Sequence, residues 1–203
     1  MSIKMIIFDQ DGTLYPRSHD LFKYTRKKTK NWISQKLNIG TEEVDKIYKT
    51  LAQKYPNPYL GFESLGCSVN EYMSEVFDKI EPKELLDFNP ILYEYFEKSK
   101  LRKALVTLAS PQYTIKLQKV LKLINFYDEI LYVKDFKTYN KKECYQKIAK
   151  DFNLKYNEIC VIGDSFENDI NPAKELGCKT IWISENSEVS SIEDYILNER
   201  RKK

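Results

Sequence analysis

Five short, continuously apolar segments alternate with helical patterns along this chain of 203 residues. The segments are residues 3–8, 103–108, 129–133, 159–163 and 180–183. Continuous apolar runs are typical of parallel strands buried on both faces, because a strand with one solvated face alternates apolar and polar residues. Residues 111–123, 141–152 and 168–176 have helical periodicity. Strand and helix in alternation predict an α/β fold with a doubly wound parallel sheet.

The connection between the first two predicted strands departs from this alternation. More than eighty residues follow Tyr15 before the second strand, and they are rich in helix formers and aromatic residues. A connection of this length without structure of its own is uncommon in a compact domain. We therefore predict an α/β core formed by residues 1–15 and 87–203, with a helical cap domain inserted at residues 16–86.

Local signals divide the predicted cap into helices. Thr41 and Ser68 mark helix starts, and residues 55–66, which contain two prolines and two glycines, are predicted to form a loop. Aromatic residues are frequent in this segment, and we expect them to form a small core of the cap itself. They are Tyr24, Trp32, Tyr48, Tyr72 and Phe77.

Composition argues against several classes of function. The net charge of +3 is too small to indicate a nucleic-acid partner, and the basic run at residues 200–203 is predicted to be a solvated tail. No apolar stretch approaches the roughly 20 residues of a membrane span, and the first segment is a strand rather than a signal peptide. The four cysteines form no C-x-x-C pair, which favours free thiols in a reducing cytoplasm. Nothing in the sequence indicates an oligomeric state.

Acidic and polar residues follow three of the predicted strands at their carboxyl ends. In "MIIFDQDGTLYP", Asp9 and Asp11 come directly after the first strand. Thr107 lies at the end of the second strand, and Asp164 and Asp169, in "VIGDSFENDI", follow the fourth. Ligands of open parallel sheets bind beyond the carboxyl ends of the strands. We therefore expect these side chains to lie close together.

The charges of these residues are suited to a metal ion and a phosphate. Asp9 and Asp11 repel each other unless a cation lies between them, and a single histidine in the chain favours an oxygen-ligated metal such as Mg²⁺. Lys141 lies in the first turn of a predicted helix, where a cation is unfavourable unless an anion is nearby. Asn140 and Glu143 resemble a capping box at the start of that helix.

These residue types can hydrolyse a phosphate ester. Asp9 could attack phosphorus to form an aspartyl-phosphate, and Asp11 could exchange a proton with the leaving oxygen and the attacking water. Mg²⁺ and Lys141 would offset the negative charge that otherwise keeps carboxylate and phosphate apart. Gly12 would let the backbone turn sharply beside the ligand, and backbone N–H groups after the first two strands would bind phosphate oxygens.

Other interpretations of the same residues stay open. A calcium loop also uses D-x-D-G, although its pattern requires glycine where this chain has Leu14. Asp164 and Asp169 could stabilise a helix N-terminus without binding metal. Lys141 could be a solvated surface lysine. His19 either contacts substrate or lies on the surface, and we favour the surface.

The motifs together resemble the haloacid dehalogenase (HAD) superfamily, whose phosphatases begin with D-x-D-G-T at the end of the first strand. The resemblance extends from residue 6 to residue 183. It implies that Asp9 is the nucleophile, that Asp11 is the general acid/base, and that Lys141 balances charge. The implied phosphate-binding residues are Gly12, Thr107, Leu108 and Lys141. The implied metal ligands are Asp9, Asp11 (through its backbone carbonyl), Asp164 and Asp169, with Mg²⁺ as the cofactor.

Two positions depart from the pattern of the superfamily. Leu108 stands where asparagine is usual, so a polar contact near the substrate is in doubt. The lysine motif lacks its usual proline, which leaves both Lys141 and Lys142 as candidates. We prefer Lys141, because Tyr145 and Ile148 then follow at the usual apolar spacing.

The predicted cap corresponds to the segment that usually sets substrate specificity in this superfamily. Tyr-Pro after the first motif and a glycine-containing loop in mid-cap resemble the pyrimidine 5′-nucleotidase branch. The predicted function is magnesium-dependent hydrolysis of a small phosphomonoester, with nucleotides favoured, by a cytoplasmic enzyme. The alternatives are a phosphatase of phosphoglycolate or of a sugar phosphate, a phosphomutase similar to β-phosphoglucomutase, and a non-catalytic binding protein, because fold alone does not fix function.

Overall fold

A computed structural model describes residues 2–55, 57–184 and 191–201 of the chain. Its strands are β1 (Met5–Phe8), β2 (Asp11–Gly12), β3 (Tyr15–Pro16), β4 (Arg102–Thr107), β5 (Glu129–Tyr132), β6 (Ile159–Gly163) and β7 (Lys179–Trp182). Five of them form one parallel sheet in the order β5-β4-β1-β6-β7, while β2 and β3 form a separate two-residue pair. The predicted doubly wound parallel α/β sheet is confirmed, and all five predicted strands lie in it.

The strand β1 lies at the centre of the sheet. Met5 pairs in register with Arg102 on one side and with Ile159 on the other. Because all strands are parallel, their carboxyl ends meet at one edge of the sheet. The segments that follow β1, β4 and β6 therefore begin side by side.

Nine helices are described. They are α1 (Asp20–Leu37), α2 (Thr41–Lys54), α3 (Pro58–Ser64), α4 (Val69–Glu75), α5 (Pro90–Lys98), α6 (Pro111–Leu121), α7 (Lys141–Asp151), α8 (Asn171–Leu176) and α9 (Ile192–Arg201). A π-helical turn, Phe166–Ile170, leads directly into α8, so the helix predicted at 168–176 is two different elements. Short 3₁₀ turns occur at Phe77–Lys79, Pro82–Glu84, Ile124–Phe126, Val133–Asp135 and Tyr156–Glu158.

Both faces of the sheet are covered, which explains why its strands are continuously apolar. Side chains alternate along a strand, so Ile6 and Phe8 face one layer while Met5 and Ile7 face the other. Ile6 and Phe8 belong to a core that includes residues of α1, α5, α6 and α9. Met5 and Ile7 pack in a second core with residues of α7 and α8. All four side chains are buried.

The predicted loop at residues 55–66 is wrong, because α3 lies inside it. The side chain of Asn57 accepts hydrogen bonds from the backbone N–H groups of Tyr59 and Leu60, and Pro58 occupies the first helical position. Proline is favoured at that position, where its missing N–H has no helical partner to lose. Ser68 caps α4 and α2 begins at Thr41, as predicted, and Gly40 precedes α2 at the cap position.

The aromatic residues of the inserted segment join the main core instead of forming one of their own. Trp32, Tyr72 and Phe77 are buried in the same cluster as Phe8. Their rings are in mutual contact, with centroids 5.3 Å apart for Trp32 and Tyr72 and 5.4 Å apart for Tyr72 and Phe77. Tyr24 is 37% exposed, so its predicted place in a core is wrong. The division into a core and a cap domain stays a prediction.

Four predictions from composition meet the structure in different ways. All four cysteines are buried, and none of them forms a disulfide in the described part of the chain. Across the described ranges, no helix combines the length and the apolar character needed to cross a membrane. A cytoplasmic location stays a prediction. The side chains of the basic run at residues 200–203 lie outside the described residues.

Candidate active site

Three carboxylates converge beyond the carboxyl ends of β1 and β6. Asp9 directly follows β1, and its N–H donates to the carbonyl of Ile162, 2.9 Å away in β6. Asp9, Asp164 and Asp169 each place one carboxylate oxygen within 4.8 Å of the others. The side chains of Asp9 and Asp169 are 10% and 1% exposed. The structure thus brings together the acidic residues that follow two different strands.

Lys141, the first residue of α7, lies in this cluster. Its Nζ donates to Oδ1 of Asp9 at 2.5 Å and to Oδ1 of Asp169 at 2.6 Å, and the side chain is 3% exposed. Burial by itself would lower the pKa of Lys141, but the charges of Asp169 and Asp9 outweigh it and raise the pKa. Lys142 points elsewhere and pairs with Glu175 at 2.8 Å on the surface. Lys141 is therefore the lysine that meets the carboxylates.

The negative charge of the cluster exceeds the positive charge beside it. Burial raises the pKa of Asp164, and the charges of Asp9 and Asp169 raise it further. Burial likewise raises the pKa of Asp169, against the opposing effect of Lys141. Carboxylates crowded in this way are stabilised by an additional cation. Carboxylate oxygens are also the ligands that Mg²⁺ prefers, so the donor set of Asp9, Asp164 and Asp169 fits that ion.

Two side chains that support these carboxylates are missing from the predicted site. Arg17 donates from Nε to Asp164. The hydroxyl of Thr13 donates to Oδ2 of Asp9 at 2.9 Å. Thr13 is part of the D-x-D-G-T motif, so the motif itself contained its signal. Arg17 lies outside every motif. It is 147 positions from Asp164 in the sequence, and only the fold brings the two side chains together.

Glycine at two positions makes room for the carboxylates. A Cβ on Gly12 would lie 2.1 Å from Oδ2 of Asp164, and the residue has φ of +93°, which side chains disfavour. A Cβ on Gly163 would lie 2.4 Å from Cγ of Asp169. Gly12 thus packs against a predicted metal ligand. Its predicted contact of the backbone with phosphate stays a prediction.

Asp11 lies beside the cluster and not within it. Its Oδ1 accepts hydrogen bonds from the hydroxyls of Tyr15 and Tyr113, the latter at 3.1 Å. Its Oδ2 accepts from Nε2 of Gln10 at 3.1 Å. Burial raises the pKa of Asp11 to about 6, although the hydrogen bond from Tyr15 opposes the shift. The predicted metal contact of Asp11 through its backbone carbonyl stays a prediction.

The ends of β4 and α7 complete this edge of the sheet. Thr107 is buried, and its Oγ1 accepts from the N–H of Ala109 at 3.0 Å. Thr107 and Leu108 both line the cavity above the carboxylates. Asn140 caps α7 through its side chain, but the expected capping box is replaced, because the carboxylate of Glu143 accepts from the hydroxyl of Thr138.

The cavity above this edge has a volume of about 500 Å³. Its floor contains the carboxylates and Lys141, and its remaining wall comes mainly from α1–α3. That wall is mainly aromatic and aliphatic, with the charged side chain of Arg26 also present. Its aromatic and aliphatic members include Phe22, Tyr48, Leu51, Tyr55, Tyr59, Phe62, Tyr72 and Phe77. His19 instead caps α1, where its Nδ1 accepts from the N–H of Leu21 at 3.2 Å. His19 therefore stabilises the start of α1, and it is not among the residues that line the cavity.

A family model for haloacid dehalogenase-like hydrolases matches residues 6–183. The chain belongs to this family. The predicted superfamily is confirmed, and the HAD-like chain is an enzyme, as predicted, and not a non-catalytic binding protein.

Curated relatives of this HAD-like chain carry the name glyceraldehyde 3-phosphate phosphatase. The relative from Methanocaldococcus jannaschii is 28% identical, and the match covers 97% of this chain and 93% of the relative. The relative from Pyrococcus furiosus is 26% identical, with 97% and 90% covered. These relatives identify the chain as a HAD-family phosphatase. Their name gives no support to the predicted pyrimidine nucleotidase branch.

A solved structure shows the same fold. The HAD phosphatase from Thermococcus onnurineus superimposes with a TM-score of 0.63 at 16% identity, over 99% of this chain and 98% of the other. At this identity the likeness concerns the fold alone. It agrees with the parallel α/β sheet described above.

Proposed function

We propose that this phosphatase hydrolyses a small sugar phosphate, of the size of a triose phosphate, with the help of Mg²⁺. The observation that carries the proposal is the convergence of Asp9, Asp164 and Asp169 around the ammonium group of Lys141. The substrate class is supported by the name of the curated relatives, which match nearly the whole chain. It replaces nucleotides as the leading candidate.

In the proposed reaction, Asp9 acts as the nucleophile. One of its carboxylate oxygens forms a bond to phosphorus while the ester bond to the sugar oxygen breaks, which leaves an aspartyl-phosphate. Asp11 donates a proton to the departing sugar oxygen. A water then attacks the phosphorus and gives a proton to Asp11, so that phosphate is released and Asp9 is restored. The pKa of about 6 at Asp11 suits both directions of this proton transfer.

The remaining residues hold charge in place during these steps. Lys141 keeps Asp9 oriented through a 2.5 Å hydrogen bond and offsets the charge of an approaching phosphate. The hydroxyl of Thr107 and the backbone N–H groups of Gly12 and Leu108 are proposed to bind phosphate oxygens. Asp9, Asp164 and Asp169 would hold Mg²⁺, with Asp11 contributing its backbone carbonyl. When bound, Mg²⁺ supplies positive charge that stabilises the transferring phosphoryl group.

The proposal is tested by release of inorganic phosphate from glyceraldehyde 3-phosphate. We expect release by the wild type, its loss in EDTA and its return with Mg²⁺. Asp9→Asn should lower kcat by at least about 1,000-fold, because the nucleophile is gone. Its melting temperature should stay equal or rise slightly, since one of several repelling charges is removed.

Asp151→Asn, at an exposed carboxylate at the end of α7, is the matched control and should keep wild-type kcat. Turnover by Asp9→Asn at the wild-type rate would show that Asp9 is not the nucleophile. Restoration by Zn²⁺ and not by Mg²⁺ would contradict a site made of oxygen ligands. Transfer of phosphate to a sugar monophosphate, without release, would indicate a phosphomutase.

A 5′-nucleotide is a second candidate substrate, favoured by the cavity. Its volume of about 500 Å³ is within the range of about 300–1,000 Å³ for sites that bind drug-sized ligands. A triose phosphate would leave much of the aromatic wall uncovered, whereas a base could stack on it. The ratio of kcat/KM for glyceraldehyde 3-phosphate to that for uridine 5′-monophosphate separates the two candidates, and a ratio below one favours the nucleotide.

A further inference from the structure

We propose that Tyr15 and Tyr113 are positioning residues for Asp11. Their hydroxyls hold the carboxylate in one orientation, so that its proton can be delivered to the leaving oxygen. This role rests on the proposed function, in which Asp11 is the general acid. Among the described residues, neither tyrosine hydroxyl is hydrogen-bonded to Asp9, Asp164 or Asp169, so the effect on catalysis would pass through Asp11.

Both oxygens of Asp11 are occupied by donors from three parts of the chain. Oδ1 accepts from Tyr15, which lies in β3, and from Tyr113, which lies in the first turn of α6. The two hydroxyl oxygens are themselves 3.2 Å apart. Oδ2 accepts from the amide of Gln10. Donors on both oxygens fix the rotation of the carboxyl group, which a single hydrogen bond does not.

The side-chain amide of Gln10 is held in place by a hydrogen bond from Gln118. Nε2 of Gln118 donates to Oε1 of Gln10 at 3.0 Å, and this contact leaves Nε2 of Gln10 directed at Asp11. The hydroxyl of Tyr127 donates to Oε1 of Gln118 at 3.2 Å. Gln10 and Gln118 are fully buried. Buried polar groups are retained where each has its partner, so this network forms a rigid support for Asp11.

The hydroxyls of the two tyrosines are not needed for packing. Tyr15 is 3% exposed and Tyr113 is fully buried. A phenylalanine would fill the same space without a polar group to satisfy, and burial of a hydroxyl is favourable only when it is hydrogen-bonded. Both hydroxyls donate to Asp11 and lie 3.2 Å from each other, and Tyr113 also interacts with the side chain of Thr25. The structure therefore assigns them to the orientation of Asp11.

The ring of Tyr113 also connects Asp11 with the aromatic wall of the cavity. It packs on Phe77 with centroids 5.1 Å apart, and Phe77 packs on Tyr72 at 5.4 Å. Phe77 and Tyr72 both line the cavity. A phenylalanine at position 113 keeps these ring contacts and removes only the hydroxyl. Tyr113→Phe thus separates the orientation of Asp11 from the packing of the wall.

The dependence on the leaving group reveals the role. The alkoxide of a sugar leaves slowly without a proton, whereas p-nitrophenolate leaves readily without one. Tyr113→Phe and Tyr15→Phe should each lower kcat on glyceraldehyde 3-phosphate by about tenfold or more, with KM changed less than about twofold. The loss on p-nitrophenyl phosphate should be at least about threefold smaller.

Tyr156→Phe is the control, because Tyr156 lies just before β6, at the edge of the sheet opposite the site. The kcat of this variant should equal that of the wild type. Thermal unfolding confirms that each variant is folded. Equal losses on both esters, or wild-type kcat in both folded variants, would overturn the positioning role. Asp11→Asn separates the positioning role of the tyrosines from the general-acid role of Asp11. If Asp11→Asn lowered kcat equally on both esters, Asp11 would not be the general acid.

Discussion

The carboxyl edge of the sheet and the inserted helices (α1–α4) line the same cavity in opposite ways. The edge contributes charged side chains, Asp9, Lys141 and Asp169, which are buried against one another. The inserted helices contribute mainly aromatic and aliphatic side chains that are held by packing. Charge is thus concentrated at the sheet edge, where we propose that phosphate reacts, although Arg26 of α1 also lines the cavity. The other side offers surface for the rest of the substrate.

The two regions also differ in what determines their geometry. At the edge, each charged residue lies within a few positions of a strand end or a helix start, so the topology of the sheet brings them together. In the inserted helices, contacts join residues far apart in sequence. The indole N–H of Trp32 donates to Glu75 at 2.8 Å, and the hydroxyls of Thr29 and Tyr72 are 3.0 Å apart. Side-chain packing between helices sets their positions.

The largest effect that sharpens this comparison is expected at Lys141. Lys141→Met should lower kcat by at least about 100-fold, because the charge that orients Asp9 is lost. It should also lower the free energy of unfolding by about 3 kcal/mol, since Asp9 and Asp169 are left as buried carboxylates without their cation. Kinetics on glyceraldehyde 3-phosphate and denaturant unfolding measure the two effects.

The neighbouring lysine provides the matched control. Lys142 is partly exposed and pairs with Glu175 at the surface, where an ion pair contributes about 0–1 kcal/mol. Lys142→Met should therefore keep kcat within about twofold of the wild type. If Lys142→Met were the more damaging substitution, the assignment of the active-site lysine would have to be exchanged.

The strands and the acidic motifs were accessible from the sequence because their signals are local. The run from Met5 to Phe8 is fully buried on both faces, and its composition alone showed this. The path of the inserted segment was less accessible. Pro58 signals a chain break in one context and a helix start in another, and the side chain of Asn57 decides between them.

The supporting residues of the site were the least accessible part. Tyr113 lies 102 positions from Asp11 in the chain, and its first-turn position in α6 indicates nothing about a contact with that carboxylate. Arg17 is similar, since its partner Asp164 follows a different strand. Such contacts depend on how whole elements pack, and periodicity or spacing does not contain that information. The convergence of Asp9, Asp164 and Asp169 could be predicted, and the contacts of Tyr113 and Arg17 with the acidic residues could not.

An intermediate effect on activity is expected at Gly12, which packs against the carboxylate of Asp164. Gly12→Ala would place a Cβ 2.1 Å from Oδ2 of Asp164, so that carboxylate must move. We expect the Mg²⁺ concentration for half-maximal activity to rise about tenfold, as is usual when a neighbour of a metal ligand is disturbed. Magnesium titration of phosphate release measures the shift.

Gly177→Ala is the control for the strain of placing a side chain at a positive φ. Gly177 has φ of +86°, close to that of Gly12, and a Cβ there would meet open space among the described residues. It should cost about 1 kcal/mol of stability and leave the magnesium requirement unchanged. An equal shift in both variants would show that backbone strain, and not displacement of Asp164, is the cause.

The smallest effect is expected in the inserted helices, at the start of α3. Asn57→Ala removes the cap of α3 and also the hydrogen bond from Nδ2 to the carbonyl of Tyr139, 2.7 Å away. Together these losses should lower the free energy of unfolding by about 2 kcal/mol. Because α3 carries Tyr59 and Phe62 in the cavity wall, KM should rise about threefold while kcat is nearly constant.

Ser68→Ala is the control that removes a helix cap alone, without a hydrogen bond such as that from Asn57 to Tyr139. Ser68 caps α4 through the N–H of Glu71 and is exposed, so its loss should cost at most about 1 kcal/mol and leave KM unchanged. If Asn57→Ala lowered kcat instead of raising KM, the inserted helices would take part in the reaction itself. The two sides of the cavity would then share the catalytic work that is assigned here to the charged edge alone.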